Sequence, residues 1–218
     1  MDILSLATNH FFISGLLAVA LGLLSYVGTS KKLYSLLYFL LLFNFFSYNG
    51  VLLVTGAYDF REHLPLHLCY ATELGILLSI VLKTKALYPW LVLNALGGGI
   101  TGFTNSNIID GSQLVEYTHL YLSHFNLLLF SVIAYKDKIV ISRSAFLKSI
   151  ILNAFIFSVS VVFNILFQSN YWFTSRRPDG VNLTNILPDW PYYLLVLIAI
   201  GLASYFITFK IFSRKELL

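Results

Sequence analysis

His67, Cys69 and Glu73 stand close together in the stretch Leu64-Pro65-Leu66-His67-Leu68-Cys69-Tyr70-Ala71-Thr72-Glu73, at the head of an apolar run. An imidazole, a thiol and a carboxylate are the parts of nucleophilic catalysis. A thiolate attacks an acyl carbon, an imidazole takes and returns the proton, and a carboxylate orients the imidazole. His119 and His124 supply two more imidazoles in a later apolar run. Cys69, the only cysteine, is the candidate nucleophile and His124 the candidate base. A buried free cysteine serves equally well as a small hydrophobe. His67 lies two residues before Cys69, which on a helix turns it about 200° away. An irregular helix start after Pro65 would remove that objection. Glu73 falls four residues after Cys69, on the same face and one turn deeper. It either orients a histidine or makes a structural hydrogen bond to Asn44, Tyr48 or Asn49. The residue types of His67, Cys69, His119 and His124 also suit zinc, but their spacing matches no zinc motif. No metal and no cofactor is expected.

The elements that carry these residues follow from composition. The chain is 58% hydrophobic and 11% charged, against about 25% charged for a soluble domain. Its polar surface is too small to coat a globule, so the solvent is lipid. The lysines and arginines form no stripe, which excludes nucleic acid as a partner. A single cysteine excludes an intramolecular disulfide. The first apolar run ends in Tyr26-Val27-Gly28-Thr29-Ser30-Lys31-Lys32, without a small-residue cleavage motif, and reads as a retained span.

Seven apolar runs are long enough to span as helices: 10–28, 33–57, 64–82, 86–105, 117–135, 146–168 and 191–212. The expected fold class is therefore an all-α membrane protein, residues 1–218 forming one seven-helix transmembrane domain. If the spans alternate, Lys31, Lys32, Lys83, Lys85, Lys136, Lys138, Arg143, Lys148, Lys210, Arg214 and Lys215 share one side, and only Arg61, Arg176 and Arg177 lie on the other. The positive-inside rule makes the first side cytoplasmic. The amino terminus is then outside and the carboxyl terminus inside. On this topology His67, Cys69, His119 and His124 all lie in the first turns of spans that enter from outside. Cys69 and His124 come to roughly the same depth, about 7–10 Å below the outer boundary. The expected location is a multi-pass protein of the cell membrane, with its site facing the outer leaflet.

Two more features sit on that side. The longest connection, from Gln168 to Trp190, carries Asn170, Trp172, Arg176 and Arg177. Guanidinium forks beside an aromatic suit a phospholipid phosphate; generic interfacial anchoring uses the same residue types. The fourth span carries Gly97-Gly98-Gly99 and Gly102, then Asn105 and Asn107. Close helix packing is one reading of these glycines and unwinding is another.

Four elements resemble the YwaF-like bacterial integral membrane proteins. Leu64-Pro65-Leu66-His67-Leu68-Cys69 resembles their LPLHLC signature, Asn170 to Pro178 their NY-x-x-x-x-RKP element, Pro188-Asp189-Trp190-Pro191-Tyr192-Tyr193 their GPWPWY element, and Ser123-His124 their SH pair. Arg177, Pro188, Asp189 and Tyr192 depart from those patterns. That family is similar to the animal transmembrane protein 164 family, described as lipid acyltransferases acting on ether phospholipids, and its architecture looks like that of the androgen-induced lipid hydrolases. The resemblance implies that Cys69 is the catalytic cysteine and His124 its partner.

Together these readings give a membrane lipid acyltransferase or lipid hydrolase that works through an acyl thioester. Cys69 and His124 are catalytic, and His67, Glu73 and His119 support them. Asn170, Trp172, Arg176 and Arg177 bind the phospholipid headgroup, and membrane lipids are the partners. The alternative is a non-enzymatic transporter or solute-binding protein with a polar outer cavity, to which a glycine-broken fourth helix would point.

Overall fold

A computed structural model of the chain describes residues 3–109 and 111–213, with side chains from Asn9 onward. The described residues are helical and contain no strand. Eight α-helices follow in order: α1 (Ile3–Val27), α2 (Ser30–Thr55), the single turn α3 (Phe60–His63), α4 (Leu68–Val81), α5 (Tyr88–Thr104), α6 (Leu114–Lys136), α7 (Arg143–Phe167) and α8 (Tyr192–Phe212). Two short 3-10 turns, Tyr171–Phe173 and Leu183–Ile186, lie in the long connection before α8.

Local chemistry sets the helix ends. Gly56, with φ of 71°, closes α2 in the left-handed conformation that favours glycine. The Glu116 carboxylate accepts from the Gln113 amide and caps α6. Ser142 caps α7 by accepting from the Ala145 amide, and Pro89 sits in the first turn of α5, where its missing N–H costs nothing.

Residue 64 was expected to open the third apolar run as a helix, but α4 begins at Leu68. Leu64, extended before Pro65, ends α3, and His67 is the extended N-cap of α4. A residue before proline is pushed out of the helical region, which accounts for the delayed start. The fourth run is not interrupted: α5 passes through Gly97, Gly98 and Gly99 as one helix.

Four helices are long and apolar enough to cross a membrane: residues 9–27 of α1, and all of α2, α7 and α8. Their outward faces display residues such as Phe12, Phe46, Ile165 and Leu202. The shorter apolar α4, with α5 and α6, forms the interior. α5 packs against α1, α4, α6, α7 and α8, and the deepest apolar positions, including Leu91, Leu127, Leu129 and Ile133, lie between these inner helices.

The bundle has two chemically distinct ends. At one, Lys136 donates to the Gly28 carbonyl (3.0 Å), the Tyr34 and Tyr88 hydroxyls meet (3.2 Å), and the Ile141 amide donates to Phe212. This is the lysine-rich end; Arg214 and Lys215, which were expected to share it, lie outside the described residues. At the other end the 56–67, 105–113 and 168–191 connections fold over one another. The Ser106 amide donates to Val181 and the Leu183 amide to the Asn105 side chain.

Between the two ends a buried polar knot joins α5 to α7. Trp90 donates to the Asn153 side-chain oxygen at 2.6 Å, and Asn94 and Asn153 exchange amide hydrogen bonds. Replacing Asn153 by Ala strands the Trp90 N–H and the Asn94 Oδ1. A stranded buried donor costs about 1–3 kcal/mol, so this variant is expected to unfold at a lower temperature than wild type in detergent.

Candidate functional site

The loop-covered end encloses a cavity of about 280 Å³. His67, Cys69, His119 and His124 all line it, with Tyr48, Ser123, Asn105 and Asn182 among their neighbours. Four candidate residues from two separate stretches of sequence thus meet at one opening.

The inner wall is the glycine face of α5. A methyl group added at Gly98 would stand 3.1 Å from Cys69 Sγ. One turn later, a methyl group at Gly102 would overlap the His124 ring. Cys69 and His124 therefore rest on the same bare strip of backbone, about 6 Å apart along the α5 axis. The other two glycines admit different neighbours: Gly97 faces Ser204 of α8, and Gly99 faces Leu128 of α6. Close packing is what the glycines do here, and the packing partners include the thiol and the imidazole.

Hydrogen bonds fix the tautomers. The Leu120 carbonyl can only accept, so His124 Nδ1 donates to it at 2.6 Å, and Nε2 keeps its lone pair. Asn44 Nδ2 donates to Glu73 Oε1 at 2.9 Å, which turns Asn44 Oδ1 toward His119 Nδ1, 3.3 Å away. His119 therefore donates through Nδ1 and also keeps its lone pair on Nε2. Its ring is stacked on Tyr48, with centroids 3.8 Å apart, and meets the edge of Tyr70. His67 is arranged the other way. Its Nδ1 accepts from the Trp172 amide at 3.4 Å, so its proton is on Nε2. Because His67 precedes the first turn of α4, it lines the same cavity as Cys69 and is not turned away from it.

Glu73 is buried behind this wall. Its Oε1 accepts from Asn44 and Asn126, and its Oε2 accepts from Ser123 at 2.7 Å. The structural partner expected from α2 is thus Asn44, while Tyr48 and Asn49 go elsewhere. Asn49 donates to the Tyr70 hydroxyl. Glu73 touches no imidazole directly and reaches His119 through Asn44.

The loop residues read as headgroup ligands hold the roof. Asn170 Oδ1 accepts from the amides of Ser175 and Arg176. Trp172 Nε1 donates to the Leu66 carbonyl at 2.7 Å, just before His67. Arg177 donates to the Leu187 carbonyl, pairs with Asp189 at 2.9 Å and lies over the Tyr193 ring. Arg176 is exposed on the same loop. None of these four lines the cavity; the loop contributes Phe173, Pro178 and Asn182 instead. Trp172 and Phe173 both have φ near +60°, which costs a bulky residue roughly 1–2 kcal/mol. Tyr171, fully buried, anchors that turn by donating to the Phe60 carbonyl and accepting from the Leu64 amide. Asn182 was missed because nothing in its neighbourhood of sequence distinguishes it from any loop asparagine. Asn105 was visible as a polar residue closing a glycine-rich span.

The TMEM164 family matches residues 4–209, nearly the whole chain. The chain belongs to that family. No curated protein and no solved structure resembles it closely enough to match. In this TMEM164-family protein the described residues include no group of three or more His, Cys, Asp or Glu side chains placed to share a metal ion. Chemically, the cavity offers a thiol, two imidazole lone pairs and one imidazole N–H, with the Glu62 and Glu116 carboxylates also in its lining.

On the 56–67 connection, Arg61 clasps Asp59 through two nitrogens and pushes its carboxyl down to about 2. This pair braces α3 and lies outside the cavity.

Gly102→Ala forces the His124 ring off its seat. It is expected to lower stability by about 1–3 kcal/mol, the usual range for overpacking, in a thermal unfolding series. Gly15→Ala, where nothing lies within 4 Å of the added methyl, is the control expected to leave the midpoint no lower than wild type, since alanine is the better helix former.

Proposed function

We propose that this protein is a membrane acyl-transfer enzyme that carries a lipid acyl chain as a thioester on Cys69. The observation that supports this most directly is the shared glycine wall, which seats a thiol and a lone-pair imidazole one helical turn apart in one cavity. His124 Nε2 takes the thiol proton as sulfur attacks the ester carbonyl of a phospholipid. The His67 Nε2–H, two residues before Cys69 and in the same cavity, would stabilise the oxyanion. The C–O bond breaks, and His124 returns the proton to the departing alcohol. The thioester then passes its acyl group to a second alcohol, or to water in the hydrolytic variant of the same chemistry. Arg176, exposed at the roof, would receive the headgroup, while Asn105 and Asn182, whose amides are bonded to the chain, would shape the wall beside it. Asn170, Trp172 and Arg177 would serve it indirectly, by holding the loop that carries Asn182.

If the inner helices cross together with the four long ones and the lysine-rich end is cytoplasmic, as the positive-inside rule favours, the cavity would face the outer leaflet of the cell membrane. A transporter reading loses its chief support, because α5 is unbroken and the helices beneath the cavity are filled with apolar side chains.

Intact-protein mass measurement on material purified from its own membrane tests the chemistry. Wild type is expected to carry an acyl-sized adduct removed by neutral hydroxylamine. Cys69→Ser should hold a hydroxylamine-resistant ester, and Cys69→Ala no adduct. Full lipid-modifying activity in Cys69→Ala would overturn the proposal. The orientation is tested in a Cys69→Ser background. A membrane-impermeant maleimide added to intact cells should label Asn182→Cys and spare Lys138→Cys.

A further inference from the structure

The cavity holds one more base than thioester formation requires. His124 sits one helical turn along the α5 glycine strip from Cys69, which under the reading above makes it the base for the thiol. His119 comes from the preceding part of α6 and is held quite differently. Its ring is clamped in plane by Tyr48 and at the edge by Tyr70, and its Nδ1–H is tied to Asn44 Oδ1. Asn44, 1% exposed, is in turn fixed by Glu73, 4% exposed, whose other donors Ser123 and Asn126 leave it no freedom to rotate. A buried carboxylate and a buried amide are expensive to keep in an apolar bundle. Here they form a chain that ends by setting the tautomer and plane of one cavity-lining imidazole. A carboxylate that orients an imidazole plays this part in nucleophilic enzymes, and here an amide is interposed between the two.

Resting on the thioester reading above, we propose that His119 is the second catalytic base, which activates the acceptor hydroxyl, with Asn44 and Glu73 as its positioning residues. His119 Nε2 takes the proton of an incoming alcohol or water as its oxygen attacks the Cys69 thioester carbonyl. The new C–O bond forms, the C–S bond breaks, and sulfur leaves with the electron pair. The proton on His119 then passes to the sulfur, which restores the thiol and the neutral imidazole. The two half-reactions thus use two bases: His124 serves the thiol and the departing alcohol, and His119 serves the arriving one. The ligand class this assigns to the His119 side of the cavity is a hydroxyl-bearing acceptor.

The two halves separate in a burst experiment with the full-length protein in detergent micelles and p-nitrophenyl decanoate as acyl donor. The burst of p-nitrophenol reports acylation of Cys69, and the steady rate reports release of the acyl group. In His119→Gln, whose amide can still donate to Asn44, the burst is expected to keep its wild-type amplitude and rate while the steady rate falls about 100-fold, the lower range for a general base. Asn44→Leu, which keeps the imidazole and removes its orienting partner, should also spare the burst and slow the steady rate by a smaller factor. His124→Ala should lose the burst. An equal fall of burst and steady rate in His119→Gln, or no change in either, overturns the assignment of His119 while leaving Cys69 chemistry standing. Turnover by wild type with no acyl adduct on Cys69 in acid-quenched samples, or a burst that survives Cys69→Ala, overturns the thioester reading and this inference with it.

Discussion

A buried carboxylate sets the register of the inner bundle. Glu73 of α4 accepts from Asn44 of α2 and from Ser123 and Asn126 of α6. In a lipid-surrounded interior none of these groups can turn to water instead, so each must meet its partner. That requirement fixes how far α2, α4 and α6 slide past one another. The chemistry depends on the register so chosen. Cys69 is one turn before Glu73 on α4, while His119 and His124 flank Ser123 on α6. A slip of one residue on α6 would withdraw Ser123 from the carboxylate and move both imidazoles off their seats.

The second constraint is space. Apolar side chains on α5 would hold α4 and α6 apart, and Cys69 and His124 are admitted only because Gly98 and Gly102 present bare backbone. Labour is divided accordingly. The long apolar helices α1, α2, α7 and α8 display much of their surface outward, while α4, α5 and α6 hold the reactive groups. Asn44 is the exception, reaching inward from α2 to complete the Glu73 cage. Substitutions on the outward faces of α1, α7 and α8 thus touch lipid compatibility before they touch the site.

Much of this arrangement was legible in the chain. Hydropathy announced apolar helices, and counting residues down two of them predicted a common depth for Cys69 and His124, which line one cavity about one helical turn apart along α5. The glycines of α5 announced close approach, although nothing local said that a thiol and an imidazole would be the groups approaching. His67 was harder, since helical geometry turns it away from Cys69; Pro65 was the signal that the helix starts late. The loop was the main difficulty. Asn170, Trp172 and Arg177 have the types of ligand-binding residues, but their polar atoms are taken by backbone amides, a carbonyl and Asp189 respectively. Residue type shows that a group wants a partner and does not show whether that partner is protein or lipid. The Trp90–Asn94–Asn153 knot was out of reach for a similar reason, Asn153 lying about sixty positions from the other two with no sequence signal linking them.

The short α4 has a consequence for how the chain is made. Fourteen residues rise about 21 Å, well under the roughly 30 Å of a hydrocarbon core, and the Leu64–His67 coil continues it without helical hydrogen bonds of its own. That coil is completed by residues far downstream. The Leu64 amide donates to the Tyr171 hydroxyl, 107 positions later, and the Leu66 carbonyl is taken by Trp172. While the ribosome is still delivering α5, α6 and α7, those backbone groups have no protein partner. An unpaired backbone group can bond only to water, so this coil has to stay hydrated until the last loop arrives.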